Sequence, residues 1–505
     1  MRLVDLLAEV DGARLVGDGA CEIGAVHDDS RRVAVGDLFV AVPGLTVDGH
    51  DFVAAACARG AAAVVVEREL SIPVPQIVVG CAKRALGRLA ARVAGRPADR
   101  MTLVGITGTN GKTTASYLVE AMLAAAHTGA RPGVIGTVSF RFGGRETPAT
   151  FTTPAPVELH ALFGDLAARG CSHVVMETSS AALAMDRLEG VVFQVAAFTN
   201  LTQDHLDLHG TMAAYRAAKE RLFSERLAAN GTAVAMVDDG DGDGIGDGIG
   251  EAMLAAAPAT ARKLRVSLRR AANAADISVA SATSTIAGLR ATLRTPQGEI
   301  ELASSVLFGE YNLANLALAT GIGCALGLDS DAIVAGVRTL PGVPGRVERV
   351  ANTRGVDLFV DYAHTPDALE RVIAALRPLT RGRLLVVFGC GGDRDRAKRP
   401  LMGRVVAEGA DLAFVTSDNP RTEEPLSILD MIVAGVHAGA ARAPHVVEPD
   451  RRRAIALAVA EARAGDVVLV AGKGHEDYQI IGTTKHHFDD REEAAAAIAR
   501  LGSPS

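Results

Sequence analysis

The stretch Gly108-Thr109-Asn110-Gly111-Lys112-Thr113-Thr114 sets glycines, a lysine and hydroxyl side chains in an order suited to holding phosphate. Glycines let backbone N–H groups crowd around phosphate oxygens, and the amino terminus of a following helix adds partial positive charge. Lys112 is placed to reach the outer phosphates, and Thr113 to offer a hydroxyl to Mg²⁺. The run departs from the strict phosphate-loop pattern, which wants a glycine where this chain has Ile106; glycines stand instead at 105 and 108. The plain alternative is a glycine-rich turn ahead of an ordinary helix.

A second group of chemistry-bearing residues lies near the carboxyl terminus. Apolar runs at 357–360, 384–388, 412–416 and 467–470 lead into polar loops at 361–366, 389–395, 417–421 and 472–476. If those runs are parallel strands, all four loops emerge at one edge of a sheet. Arg394 and Arg421 can bind carboxylates and Asp418 and Glu476 an ammonium group, so the set suits a small zwitterion. Any one of them alone would more often be a surface ion pair of little worth.

Between these groups, Glu177 and the segment from Asn200 to His205 follow strand-like runs, where open α/β sheets place ligands. Phe151-Thr152-Thr153-Pro154 sits in a comparable loop. Asn312 and Asn315, spaced by three, fall on one helix face, either as capping or core-satisfied amides or as ligand contacts. Pro341-Gly342-Val343-Pro344-Gly345-Arg346 predicts a hinge that a helix would not cross. The run from Asp238 to Gly244 nearly matches a calcium loop, but the position that needs a bidentate glutamate is Gly250, and Glu251 comes one residue late; a flexible, solvated loop is expected.

The elements that must position these groups follow from size and pattern. At 505 residues the chain exceeds what one core organises, and alternating strand-like and helical stretches predict α/β units. The phosphate loop follows a short apolar run, Met101 to Ile106, and precedes Leu118, Met122 and Ala125 at helical spacing. The expected division is 1–98, 99–336 and 337–505. A formal net charge of −7 argues against a general nucleic-acid or anionic-membrane surface. Six scattered cysteines read as reduced, and early acidic residues with no bilayer-length apolar run predict a cytoplasmic protein with no membrane insertion.

The variant Gly-Thr-Asn-Gly-Lys-Thr-Thr resembles the nucleotide loop of the Mur ligase and folylpolyglutamate synthetase superfamily, ATP-dependent enzymes that form amide bonds. Asp29-Ser30-Arg31 followed by Gly36-Asp37-Leu38-Phe39-Val40-Ala41 looks like the uridine-nucleotide domain of a Mur ligase, making Ser30 and Arg31 candidates for the uridine diphosphate end. Asp418-Asn419-Pro420-Arg421 resembles the mark of the members that add meso-diaminopimelate. Unlike lysine, that amino acid carries a carboxylate at its far end, which a guanidinium can hold.

The resemblance implies three domains: a uridine-nucleotide domain, a central phosphate-loop parallel-sheet ATPase and a Rossmann-like carboxyl-terminal domain. It implies transfer of the ATP γ-phosphoryl group to the terminal carboxylate of UDP-N-acetylmuramoyl-L-alanyl-D-glutamate, then displacement of phosphate by the amine of diaminopimelate. Gly108, Thr109, Asn110, Gly111, Lys112, Thr113, Thr114, Asn312, Asn315, Arg346 and Asp361 would serve ATP. Ser30, Thr152, Thr153, Ser179 and Arg187 would serve the muramoyl dipeptide, and Arg394, Asp418, Asn419, Pro420, Arg421, Gly472 and Glu476 the amino acid. Thr113, Glu177 and His205 would bind Mg²⁺, with Lys219 as a carbamate bridging to a second metal, although spacing alone leaves Lys219 a solvated helix lysine. A monomer is expected. Ala181 stands where the family usually has histidine, and Met185 where some members have glutamine. The competing readings are lysine addition, folylpolyglutamate synthesis, and a nucleotide-binding regulatory module without ligase chemistry.

Overall fold

The computed structural model describes residues 1–44, 47–127, 129–238, 248–269, 275–439 and 443–501. Most of the acidic glycine-rich segment noted above, 239–247, therefore lies outside the described residues. Three principal sheets follow one another along the chain, each with helices against it.

The first sheet has the order Arg14–Val16, Gln76–Val78, Ala63–Val66, Leu38–Val40, Val26–His27, parallel except at the first edge. Ala63–Val66 is buried at every position, as a strand covered on both faces requires.

The central sheet has eleven strands, with Thr102–Thr107 lying between Phe193–Phe198 and His173–Glu177, all parallel. One face is covered by Lys112–Ala125 and Glu310–Ala325, whose Leu118, Met122, Leu316 and Ile322 share a core with Val104 and Ile106. The other packs Leu159 and Phe163 of Pro156–Ala168 and Leu222 and Phe223 of Met212–Ser224. The expectation of a parallel sheet holds only for its middle. Ser139–Phe142 and Arg145–Pro148 extend one end antiparallel, and Ile277–Thr285, Gly288–Thr295 and Gly298–Ser304 form an antiparallel meander at the other. The reason is connection length: links such as Gly143-Gly144, both at positive φ, can close a hairpin but cannot make a parallel crossover.

The third sheet runs Glu348–Val350, Asp357–Asp361, Val467–Ala471, Leu384–Phe388, Leu412–Val415, His445–Val447. All but the first are parallel, so the four polar loops do share one edge. This unit is tied to the central one by Phe308 on Phe359, with ring centroids 5.1 Å apart, and by Asp367, whose Oδ2 accepts from Asn110 Nδ2 at 3.0 Å and Thr202 Oγ1 at 3.1 Å.

Candidate active site

The phosphate loop joins Thr102–Thr107 to Lys112–Ala125 and is shaped by two glycines at positive φ, Gly108 (+145°) and Gly111 (+88°). A Cβ at Gly108 would overlap the Thr199 hydroxyl, and one at Gly111 would overlap Asn315 Oδ1. The neighbouring loop completes the cradle: Asn200 Oδ1 accepts from Asn110 N at 3.1 Å, and Thr199 Oγ1 donates to Asn110 O at 2.7 Å.

Two ammonium groups converge on this loop. Lys112 Nζ donates to Gly108 O and Thr109 O, both at 2.8 Å, and Lys219 Nζ donates to Gly108 O at 2.7 Å. Lys219 is 1% exposed, which removes it from the class of solvated helix lysines. Burial lowers both amines, and the charge of Lys112 pushes Lys219 further down. Neither forms an ion pair with a carboxylate among the described residues.

Glu177, at the end of His173–Glu177 and 1% exposed, accepts from Thr113 Oγ1 at 3.0 Å, from Thr137 Oγ1 at 2.9 Å and from Thr137 N at 3.0 Å. A carboxylate and hydroxyls are hard oxygen donors of the kind Mg²⁺ takes. Among the described residues no group of three or more His, Cys, Asp or Glu side chains could hold a metal by itself. The donor set thus fits an ion shared with nucleotide phosphates rather than one caged by protein. His205 stands apart from this set: its backbone has a φ of +52°, its side chain is mostly exposed, and its Nε2 lies 3.6 Å from Asp204 Oδ2.

Asn312 Nδ2 donates to Phe308 O at 3.0 Å and Asn315 Nδ2 to Asn312 Oδ1 at 3.2 Å, so these buried amides bond to each other and to the backbone just ahead of their helix, while Asn315 abuts Gly111. Asp361, raised by burial against the opposing pull of Arg346, accepts from Val347 N and Ala363 N, each at 2.7 Å. It therefore clamps the segment after the hinge. Arg346 reaches back from that hinge to Thr113 Oγ1 at 3.3 Å and lies over the Tyr362 ring, 4.9 Å from its centroid.

In the loop 151–154, Thr153 Oγ1 donates to Glu177 O at 2.8 Å and accepts from Ser179 N at 3.1 Å, while Thr152 Oγ1 is 3.1 Å from Thr137 Oγ1. Ser179 caps the helix Ser180–Ala184 by accepting from Ala182 N at 3.2 Å. Arg187, lowered by burial, donates to Thr153 O at 3.2 Å and sits beside Met185 Sδ and the Phe151 ring. Ser30 is buried at the start of the 3₁₀ turn Ser30–Arg32, which Asp29 caps, and the Arg31 guanidinium pairs with Asp29 at 2.8 Å in the open.

At the loop edge of the carboxyl-terminal sheet, Asp418, Asn419 and Glu476 meet around a residue sequence reasoning passed over. Lys473, fully buried, has its ammonium 3.2 Å from Asn419 Oδ1, 3.4 Å from Glu476 Oε2 and 3.5 Å from Asp418 Oδ1. Burial pushes the Asp418 carboxyl up, but Lys473 and Arg451 outweigh it and hold it below the usual range; burial and then the charge of Asp418 raise Glu476. Arg421, at φ +52°, donates to Gly392 O at 2.7 Å, and Gly392 and Pro420 are in backbone contact. Buried Arg399 staples the two loops, reaching Glu423 Oε1 at 2.8 Å and Gly391 O at 3.2 Å. Gly472, at φ +121°, lies against Asp418 Oδ2. Arg394 is exposed, and among the described residues it makes no hydrogen bond or ion pair. Thr137, Asp367 and Arg399 were likewise missed, since each acts through a partner distant in sequence; the flanking glycines of Gly472-Lys473-Gly474 were the one local signal for Lys473.

Family models agree with this architecture in chain order: "Mur ligase family, catalytic domain" matches 22–98, "Mur ligase middle domain" 106–323 and "Mur ligase, glutamate ligase domain" 345–474. The chain belongs to the Mur ligase family and is an ATP-dependent ligase. Among its relatives, the UDP-N-acetylmuramoyl-L-alanyl-D-glutamate–2,6-diaminopimelate ligase of Geobacter metallireducens is 46% identical, covering 100% of this chain and 99% of the relative. The ligase of the same name from Gloeobacter violaceus is 47% identical over the same shares. A solved structure with that name superposes with a TM-score of 0.71 at 34% identity, covering 99% of each chain. The fold alone is shared with MurF from Acinetobacter baumannii, at a TM-score of 0.62, 19% identity and coverage of 93% of this chain and 95% of that one. No helix among the described residues is long and apolar enough to cross a membrane.

Proposed function

We propose that the chain joins meso-diaminopimelate to UDP-N-acetylmuramoyl-L-alanyl-D-glutamate at the expense of ATP, in the synthesis of peptidoglycan precursors. The observation that carries this reading is continuity between the two sites. Arg346 touches Thr113 in the phosphate loop, and the adjoining Gly345 packs against Gly474 and His475 in the loop that bears Glu476. These contacts support a reaction in which an anion activated at one site meets an amine held at the other.

Backbone N–H groups of 108–113 cradle the ATP phosphates, and Lys112 turns from its loop carbonyls to the outer phosphates. Asn312 and Asn315 serve the base in this reading, which the place of Asn315 against Gly111 supports. Thr113 and Glu177, with His205, would hold Mg²⁺, which would supply charge neutralisation for phosphoryl transfer. Lys219, buried with a depressed pKa and in no ion pair among the described residues, is suited to exist as a carbamate, which would turn a second buried cation into a metal-binding anion. Ser30, Thr152, Thr153, Ser179 and Arg187 position the nucleotide dipeptide, with Ala181 and Met185 making their part of the contact less polar.

The terminal carboxylate oxygen attacks the γ-phosphorus, its P–O bond forming as the bond to the departing ADP oxygen breaks. The amine then attacks the acyl carbon, loses a proton and displaces phosphate. Asp418 and Glu476 hold the far ammonium of diaminopimelate, and Arg421, Arg394 and the Asn419-Pro420 turn hold its far carboxylate. The functional units are 1–98 for the uridine nucleotide, 99–336 for ATP and 337–505 for the amino acid. One chain carries all three units, and in this reading it acts as a monomer in the cytoplasm. Phosphate release with ATP, Mg²⁺ and the nucleotide dipeptide tests the proposal. Release that requires diaminopimelate supports it, equal release with lysine moves the specificity, and none with either amino acid refutes it.

A further inference from the structure

We propose that Lys473 is a positioning residue that sets the amino-acid preference of the carboxyl-terminal pocket. Its buried ammonium holds Asp418, Asn419 and Glu476 as one unit and biases the pocket against a substrate carrying an extra positive charge. The inference rests on the assignment of this pocket to an amino acid with a distal zwitterion.

The geometry is that of a hub. Lys473 is fully buried, and its three nearest polar atoms belong to three different side chains, at 3.2, 3.4 and 3.5 Å. Asp418 Oδ1 is buried without a hydrogen bond, and the Lys473 ammonium lies 3.5 Å from it. Asn419 is fixed by the same ammonium: Oδ1 accepts from Lys473 and from Ile480 N at 2.9 Å, which aims Nδ2 at Glu476 Oε2, 3.1 Å away. Gly472 and Gly474, at φ +121° and +55°, bend the backbone so that the side chain between them points inward. Two carboxylates this close would repel each other without a cation between them.

The charges around this unit set the direction of the preference. Arg451 is paired with Asp490, at 2.6 Å, yet its charge, like that of Lys398, still acts on Asp418. Lys473 adds one more positive charge to these and to the guanidinium group of Arg421 beside the carboxylates of Asp418 and Glu476. Lysine brings one more net positive charge than diaminopimelate, so the Lys473 charge counts against lysine. Replacing Lys473 with a neutral residue removes that charge.

The test measures kcat and KM for both amino acids by phosphate release. In the wild-type enzyme diaminopimelate is preferred. K473M raises KM for diaminopimelate with kcat largely kept and affects lysine less, so the ratio of kcat/KM values falls about tenfold, the scale of one charge in a partly buried site. The double variant K473M/E476Q restores the net charge, and its ratio moves back toward wild type. Should K473M fail to fold, K473Q, which keeps a polar group without the charge, is expected to show the same fall, while K473R keeps the preference for diaminopimelate. Equal losses for both amino acids in K473M or K473Q, or a loss of preference in K473R, would overturn the inference alone. Failure of the wild-type chain to use diaminopimelate would overturn the underlying assignment, and the inference with it.

Discussion

Alanine at Gly345 would strain the junction between the two sites from both sides. The residue has a φ of +64°, and an added Cβ would overlap His475 N and the carbonyl carbon of Gly474 and come within 2.7 Å of Gly474 Cα. These are backbone atoms, which cannot swing away as a side-chain tip could. A left-handed backbone costs a non-glycine residue ~1–2 kcal/mol, and forcing atoms into a packed site costs ~1–3 kcal/mol more. The expected loss is therefore about 2–5 kcal/mol. Gly342→Ala is the control: its φ is +118°, but nothing lies within 4 Å of the added Cβ, so only backbone strain of ~1–3 kcal/mol applies. Denaturant unfolding should rank G345A below G342A. The amino-acid KM should rise in G345A alone, because Gly474 and His475 must give way beside Glu476. Equal stability in the two variants, or an unchanged KM in G345A, would refute the claim that this contact couples the hinge to the pocket.

Other outcomes follow from the same geometry. Lys219→Ala should reduce phosphate release below about one-hundredth of wild type, the scale of losing a group that stabilises transferring charge, with partial rescue by a short carboxylic acid; full activity without additive would remove the carbamate from the account. Arg421→Ala should raise KM for diaminopimelate at least about tenfold, from loss of a charge-assisted hydrogen bond, and leave lysine unaffected; parallel changes for both would detach Arg421 from the distal carboxylate. Burial and the charge of Asp418 raise the Glu476 pKa, whereas Asp418 itself lies below its usual value. As pH falls, Glu476 is thus the first of the pair to take a proton and lose its hold on the ammonium. KM for diaminopimelate should climb on acidification from above the ordinary carboxylate range, and Glu476→Gln should flatten that climb; an unchanged acid limb would contradict the assignment.

What could be read from the sequence was what lies contiguous in it. The phosphate loop is one run of residues with its strand before and helix after, and the four polar loops follow apolar runs whose parallel pairing the structure bears out. The edges of the central sheet were not legible as antiparallel, because short hairpin strands carry weak patterns and their pairing depends on link length. Lys219 shows the limit most clearly: its neighbours suggest a solvated helix, and only the fold carries it beneath Gly108. Lys473 is the converse case, visible within its glycines but without meaning until Asp418, Asn419 and Glu476 close around it. Asn312 and Asn315 were open between core amides and ligand contacts; their hydrogen bonds serve the first role, and the place of Asn315 against Gly111 keeps the second within reach.

The central claim, that a carboxylate is activated by phosphoryl transfer before the amine attacks, is tested most directly by the fate of one oxygen. The nucleotide dipeptide would be prepared with heavy oxygen in its terminal carboxylate and turned over with ATP, Mg²⁺ and diaminopimelate, and the released phosphate analysed by mass. The account predicts one labelled oxygen in each phosphate released, together with a product that has gained one diaminopimelate residue and keeps the other labelled oxygen. Phosphate free of label alongside that product would contradict it.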